Sequence, residues 1–200
     1  MAVLTSAFFA RPAPVVARDL LGQYLVREVA GQRLSGLIVE TEAYTGPEDT
    51  ACHAAKGRTT RTEVMFGRPG LAYVYLIYGM YSMLNLVTDE VDFPAAVLIR
   101  AIEPQVGVET MQQLRHHAIK RLTHLTNGPG KVCQAFGIDR QLNQWDVTQG
   151  QSLWLESGEP IIAAQVATGP RIGIDYAAAP DREAAWRFWI NGNPFVSKVT

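Results

Sequence analysis

The octapeptide Leu37-Ile-Val-Glu-Thr-Glu-Ala-Tyr44 constrains the fold of this chain more than any other segment. Its composition is that of a strand, and the period-two alternation of strands sends Ile38, Glu40, Glu42 and Tyr44 to one face and Leu37, Val39, Thr41 and Ala43 to the other. Carboxylates on so apolar a strand must be solvated in a cleft or paired, because an unpaired buried charge costs more than the strand can offset. A polar cavity against a sheet is therefore expected. The plainer alternative is that one or both acids pair with basic residues at a sheet edge. The spacing also invites comparison with sugar hydrolases, since the two Cβ atoms lie roughly 6 to 7 Å apart, within the span of such carboxylate pairs. Those enzymes, however, flank the scissile bond from opposite sides, whereas strand neighbours approach one side. One glutamate of this pair is suited to attack and the other to a structural role.

The segments around this strand suggest consecutive strands more than alternation with helices. Gln23 to Val29 and Arg33 to Tyr44 read as a hairpin across Ala30-Gly31-Gln32. Further strands are expected at Leu71 to Tyr78, Tyr81 to Thr88, Ala95 to Ala101, Ser152 to Glu156, Ile161 to Ala167 and Ile172 to Asp175. Helices are expected at Pro14 to Gly22, at Val108 to Leu122, where Met111, Leu114, Ala118, Ile119 and Leu122 form one stripe, and near Lys131 to Phe136. This pattern predicts an α+β fold: a single domain, residues 1 to 200, with a mainly antiparallel curved β-sheet, flanking helices and a protruding β-hairpin.

The hairpin is the second informative segment. Leu71-Ala-Tyr-Val-Tyr-Leu-Ile-Tyr-Gly-Met-Tyr-Ser-Met-Leu-Asn85 places four tyrosines within the nine residues from Tyr73 to Tyr81. Any one of these rings could simply fill a core. The cluster, with Tyr78, Met80 and Tyr81 at a tip, suits insertion between stacked bases, and rings farther down the strands suit enclosing a base drawn into a pocket. A two-residue Gly79-Met80 turn would place Tyr75 and Asn85 on different faces. A three-residue Gly79-Met80-Tyr81 loop would pair them on one face, and we read the longer loop.

Composition bounds the remainder. Lys and Arg total 18 against 19 Asp and Glu, a net charge of −1, so the sum gives no electrostatic argument for a polyanionic partner. A local excess exists nonetheless: Lys56, Arg58, Arg61 and Arg68 lie between His53 and Tyr73 and are candidate phosphate contacts. Cys52 and Cys133 have no CxxC spacing, which argues against a disulfide scaffold and a four-ligand zinc site and favours a reducing, cytoplasmic setting. No apolar stretch approaches the roughly 20 residues of a membrane helix, and Met1 to Ala10 is unlike a secretory signal. His116-His117 point about 100° apart on a helix and are read as solvent-exposed. Asn127-Gly-Pro-Gly-Lys131 lacks the phosphate-loop spacing and is read as opening a helix. Cys133 is read as a core thiol, and Trp186, Phe188 and Trp189 as core aromatics before an Asn191-Gly192 turn.

The run Val39-Glu-Thr-Glu-Ala-Tyr-Thr-Gly-Pro-Glu-Asp-Thr-Ala-Cys-His53, then Met65-Phe66, then Tyr73 to Asn85, resembles the alkyladenine (3-methyladenine) DNA glycosylase family. The similarity continues in order through Leu98 to Pro104, Asn127 to Lys131, Arg171-Ile-Gly-Ile174 and Asn193-Pro-Phe-Val-Ser197, so it covers nearly the whole chain. The resemblance implies that Glu42 is the catalytic acid that deprotonates the attacking water. It implies that Tyr44, His53 and Tyr75 enclose an extruded base, and that Asn85 screens purines by their exocyclic groups. Arg100 would orient the water and the nucleotide's phosphate, with Ile172 supplying a backbone position beside that water. Tyr78 would fill the vacated place in the duplex, with Met80 and Tyr81 as further contacts at the tip and Arg58 and Arg61 as candidate DNA contacts. The implied function is a monofunctional hydrolase acting as a monomer on double-stranded DNA containing damaged purines, without cofactor, metal or membrane. An ionised carboxylate accepting a proton from water is typically worth about 10² to 10⁴ in rate. A non-catalytic lesion-binding protein and a hydrolase of free nucleosides are the competing readings; the second gives the protruding Tyr78 no purpose.

Overall fold

The computed structural model describes residues 1–115 and 119–197. Two short helices, α1 (Ser6–Phe9) and α2 (Ala13–Asp19), precede the hairpin of β1 (Tyr24–Val29) and β2 (Gln32–Tyr44). Strands β3 (Ala72–Ile77), β4 (Tyr81–Thr88) and β5 (Ala95–Val106) follow, then α3 (Val108–Leu114), α4 (Pro129–Ala135) and β6 (Leu153–Glu156). Strand β7 (Val166–Gly169), helix α5 (Ala179–Glu183) and strand β8 (Arg187–Ile190) complete the described elements. The strands form one open antiparallel sheet in the order β3-β4-β5-β2-β1-β6, with β8 paired to the far end of β2 and β7 paired to β8. The α+β architecture with a β-hairpin at one edge is as the sequence predicts.

Strand β2 is the axis of the molecule. It pairs with β5 along one edge, and with β1 and then β8 along the other. Helix α2 covers one face: the Thr41 hydroxyl donates to the Ala17 carbonyl at 2.7 Å, and Ile38 and Ala43 are buried in the same core as Val16, Ala17 and Leu20. Alternation along β2 is broken at one point. Ile38 faces Ile102, Glu40 faces Ala101 and Thr41 faces Ile99, so Val39 on β2 and Arg100 on β5 are each one residue extra. These two bulges offset one another. They correct the simple period-two reading: Ile38 belongs to the core under α2, whereas Val39 packs with Ala101 and Phe195 on the opposite face. A bulge re-aims a side chain without ending the ladder, and here it turns Arg100 toward Glu40 and Glu42.

Three other segments depart from expectation. Residues Ile172 to Asp175 form no strand, because Gly173 is left-handed at φ +78° and the Ile172 N–H is taken by a side chain rather than a neighbouring strand. Helix α3 ends at Leu114, not Leu122; Ile119 is half-buried against the core, and Leu122 is exposed in a separate 3-10 turn. His116, His117 and Ala118 lie outside the described residues. The strand expected at Ile161 to Ala167 begins only at Val166, after a 3-10 turn at Ala163–Gln165. Conversely, β8 was hidden within the Trp186 to Trp189 aromatics. Phe188 is buried as a core residue, while Trp186 and Trp189 are half-buried against the guanidinium groups of Arg171 and Arg187. Cys133 lies in the core, where burial raises its thiol pKa to about 12.

A candidate active site beneath the hairpin

Strands β3 and β4 pair Tyr73 with Asn85, Tyr75 with Met83 and Ile77 with Tyr81. The loop therefore has three residues, but they are Tyr78-Gly79-Met80. Tyr75 faces Met83 rather than Asn85, a shift of two that leaves both on the same sheet face. The reason lies in the turn. Tyr78 and Gly79 are both left-handed, at φ +53° and +69°, and the Met80 N–H donates to the Ile77 carbonyl at 3.2 Å, the geometry of hairpin turns that match strand twist. A left-handed conformation costs a residue with a Cβ about 1–2 kcal/mol. Tyr78 is nonetheless 83% exposed, and Met80 66%. Alternation then divides the hairpin: Ala72, Val74, Leu84 and Leu86 enter the core, while Tyr73, Tyr75, Ile77, Met83 and Asn85 line a cavity.

That cavity has a volume of about 300 Å³, at the small end of pockets that hold one compact ligand. His53, at the head of a 3-10 turn, presents its ring edge to Tyr75 at 4.6 Å between centroids, and its Nδ1 lies 2.9 Å from the Tyr73 hydroxyl. Burial, then the charges of Arg61 and Lys56, lower the His53 pKa to about 4, so the imidazole is neutral at pH 7. The Asn85 amide donates to the Tyr73 carbonyl at 3.3 Å. Burial raises the Tyr75 phenol well out of its usual range, and raises the Cys52 thiol in the wall to about 11, so neither ionises at neutral pH.

At the floor, the Glu42 carboxylate has no exposed surface, two hydrogen-bond donors and one ion-pair partner. The Ile172 N–H reaches Oε1 at 2.7 Å, Arg100 Nη1 reaches Oε1 at 3.2 Å, and the Tyr44 hydroxyl reaches Oε2 at 3.0 Å. Tyr44, Arg100 and Ile172 all line the cavity, so the carboxylate lies immediately behind its floor. Burial and then Glu42 push the Tyr44 phenol far up, which keeps it a proton donor. A carboxylate has about four acceptor positions; two are filled by hydrogen bonds, so acceptor capacity remains for a ligand or water. Glu40 is equally buried and is bonded by Arg100 Nε at 3.2 Å, away from the cavity lining.

Glu42, Arg100, Ile172, Tyr44, His53, Tyr75 and Asn85 thus gather around one cavity, with Tyr78 at its rim. Met80 is on the hairpin tip, whereas Tyr81 opens β4 beside Gly130 of α4. The basic loop is less free than its composition suggests. Arg58 pairs with Asp92 and with Glu63 at 3.3 Å while stacking on Phe66, and Arg68 pairs with Asp146 at 2.8 Å. Arg61 lies over the ring of Tyr75 at 4.8 Å, with its Nη2 3.4 Å from His53 Nε2, and lines the cavity. Among the described residues no group of three His, Cys, Asp or Glu side chains is placed to hold a metal. No helix among them is long and apolar enough to cross a membrane.

Sequence reasoning missed the pair that braces this site. Arg171 bonds Asp49 through both guanidinium ends at 2.6 and 2.8 Å, donates to the Ala43 and Asp181 carbonyls, and lies over the rings of Tyr44 and Trp186. Tyr176, 69% exposed at the rim with its hydroxyl on the Ala51 carbonyl, was also missed. The partners lie more than 120 positions apart in the chain, and no local pattern links them.

Residues 7–194 match the family model of methylpurine-DNA glycosylase. Among curated relatives, a protein of Methanocella arvoryzae is 52% identical over 99% of this chain and 97% of its own length. One of Myxococcus xanthus is 49% identical over 98% and 93%, and one of Bacillus cereus 50% identical over 92% and 93%. All three carry the provisional name 3-methyladenine DNA glycosylase.

Proposed function

Because the chain belongs to the methylpurine-DNA glycosylase family, we propose that it acts as one domain on duplex DNA, extrudes alkylated or deaminated purines and hydrolyses their N-glycosidic bond with an activated water. Glu42 is the base. A remaining acceptor position takes a proton from water as the water oxygen bonds to C1′; the glycosidic bond breaks, and its electron pair leaves with the purine. A purine alkylated on a ring nitrogen already carries positive charge and departs neutral. The negative charge of Glu42 also favours the cationic character of the sugar in the transition state. Arg100 and the Ile172 N–H fix the carboxylate, so little reorganisation is needed as charge develops.

Binding follows from the walls. Tyr44, His53 and Tyr75 enclose the base, and each stack of a base on an aromatic ring is worth about 1–3 kcal/mol. Extruding a nucleotide costs a few kcal/mol, so two stacks offset it. Tyr78, held outward by its turn, fills the place that the base has left, with Met80 and Tyr81 beside it and Arg58 and Arg61 toward the phosphates. Asn85 presents an amide to the purine's exocyclic edge. Neutral His53 adds an aromatic wall without placing a charge of its own against a cationic base. Among the described residues that line the cavity none is a lysine, which supports a product with an intact strand and an abasic site.

The observation that carries this reading is the Glu42 carboxylate, held by two hydrogen bonds and an ion pair behind the floor of an aromatic cavity. Single-turnover release of 3-methyladenine and of hypoxanthine from duplex DNA tests it. Glu42→Gln keeps the shape and loses the base, and is expected to slow release by about 10² to 10⁴. Release by the variant at the wild-type rate would overturn the mechanism. Lesion-duplex binding by the wild type without any release would support the non-catalytic reading instead.

A further inference from the structure

The segment Asn193-Pro-Phe-Val-Ser197 has no part in the chemistry above, yet apart from its contact with Ile190 on β8 it is bonded and packed to the two strands that carry that chemistry. The Asn193 amide donates to Glu103 on β5 at 2.7 Å. Phe195 is buried against Val39 and Ala101, the residues directly before Glu40 and directly after Arg100. Ser197 then grips Glu40 twice: its N–H donates to Oε2 and its hydroxyl to Oε1, both at 2.7 Å. Arg187 on β8 adds a charged contact to Oε1 at 3.5 Å.

Glu40 is thereby fixed on the side away from the cavity, and it in turn holds Arg100 by Nε at 3.2 Å. Arg100 Nη1 is left to meet Glu42 at the same distance, at the cavity floor. A guanidinium held at Nε has its plane set, and with it the direction of both terminal nitrogens. The bulge at Arg100 makes such a hold necessary, because an extra residue in a strand lacks the pairing that would otherwise fix it. The two carboxylates are balanced by two arginines, so the cluster carries no excess formal charge.

We propose that Glu40 and Ser197 are positioning residues: the Asn193–Ser197 segment sets the orientation of Arg100, and through it the alignment of Glu42 toward the sugar. This inference rests on the glycosylase reading. Neither residue touches the nucleotide. Their removal therefore acts on the chemical step, where misplacing a group by about 1 Å can cost 10²-fold in rate.

The test combines three measurements: single-turnover release of 3-methyladenine from duplex DNA, affinity for undamaged duplex, and thermal midpoint. Glu40→Gln keeps the volume and removes the charge; Ser197→Ala removes one of the two bonds to Glu40 and leaves the fold's core untouched. For Glu40→Gln the rate is expected to fall about 10- to 100-fold. For Ser197→Ala a smaller loss is expected, restored by Ser197→Thr, which returns the hydroxyl. Affinity for undamaged duplex stays at the wild-type value, since that surface is not altered. Folded Ser197→Ala protein that releases base at the wild-type rate overturns the proposal. So does a loss of rate matched by an equal loss of undamaged-duplex affinity, which marks general damage to the fold. If the wild type releases no purine, the glycosylase reading itself falls; if it does and Ser197→Ala equals it, only this inference falls.

Discussion

Replacing Asp49 by alanine isolates the brace behind Tyr44 and Ile172. The Asp49 carboxylate is used completely: two bonds from Arg171, one from the Thr45 N–H at 3.1 Å and one from the Ala51 N–H at 3.0 Å. Both side chains of the ion pair have no exposed surface. Burial opposes the Arg171 charge, and Asp49 more than compensates; with Asp49 gone that compensation is lost, yet a guanidinium is too basic to shed its proton and is left as an unpaired buried cation. Breaking such a pair from one side costs about 3–5 kcal/mol. For a chain of this length each kcal/mol lowers the melting temperature by about 2–4 °C, so Asp49→Ala is expected to melt about 6–20 °C below the wild type. Calorimetry measures this directly. The double variant Asp49→Ala/Arg171→Met replaces the charge with an apolar side chain and is expected to regain most of the loss, because the penalty comes from the orphaned cation. A single variant melting within about 2 °C of the wild type, or a double variant no more stable than the single, would refute this reasoning.

Two further predictions concern the walls and the tip. Tyr78→Ala is expected to weaken binding to a lesion-containing duplex by about 1–3 kcal/mol in an equilibrium titration, with the melting temperature unchanged because the ring packs on little of the free protein; unaltered affinity would remove the wedge role. His53 is protonated in the unfolded chain below its ordinary pKa of 6.5 but in the folded protein only near 4. Between these values the unfolded state binds more protons, so this group lowers stability as pH falls from 6.5 to about 4. His53→Gln is expected to flatten the stability profile in that window, as followed by urea unfolding at successive pH values.

What the sequence disclosed was local. Alternation brought Glu40, Glu42 and Tyr44 to one face, and the tyrosine cluster located the hairpin, because both signals lie within a dozen residues. The loop length was legible and the register was not, since either placement keeps Tyr75 and Asn85 on one face and only the left-handed Tyr78-Gly79 pair distinguishes them. The bulge at Val39 was invisible for the same reason: an apolar residue suits either face. Arg171 was named within a resembling segment without a partner, since Asp49 is 122 positions away. The cations between His53 and Tyr73 were countable, but their engagement depended on Asp92 and Asp146, which approach only in the folded chain.

The offsetting insertions in the two central strands have a consequence for how the protein can change. Because the phase lost on one strand is regained on its neighbour, the ladder from Thr41 to Tyr44 keeps the same offset as the ladder from Gly36 to Ile38. The irregularity is confined to a few ångströms and imposes nothing on hydrophobic patterning elsewhere. The scaffold is therefore free to drift in sequence around a fixed chemical kernel, whereas Val39 and Arg100 form one indel unit. Deleting either alone would shift one half of the β2–β5 ladder by a residue, and deleting both would restore a regular ladder without the side chain that reaches Glu40 and Glu42.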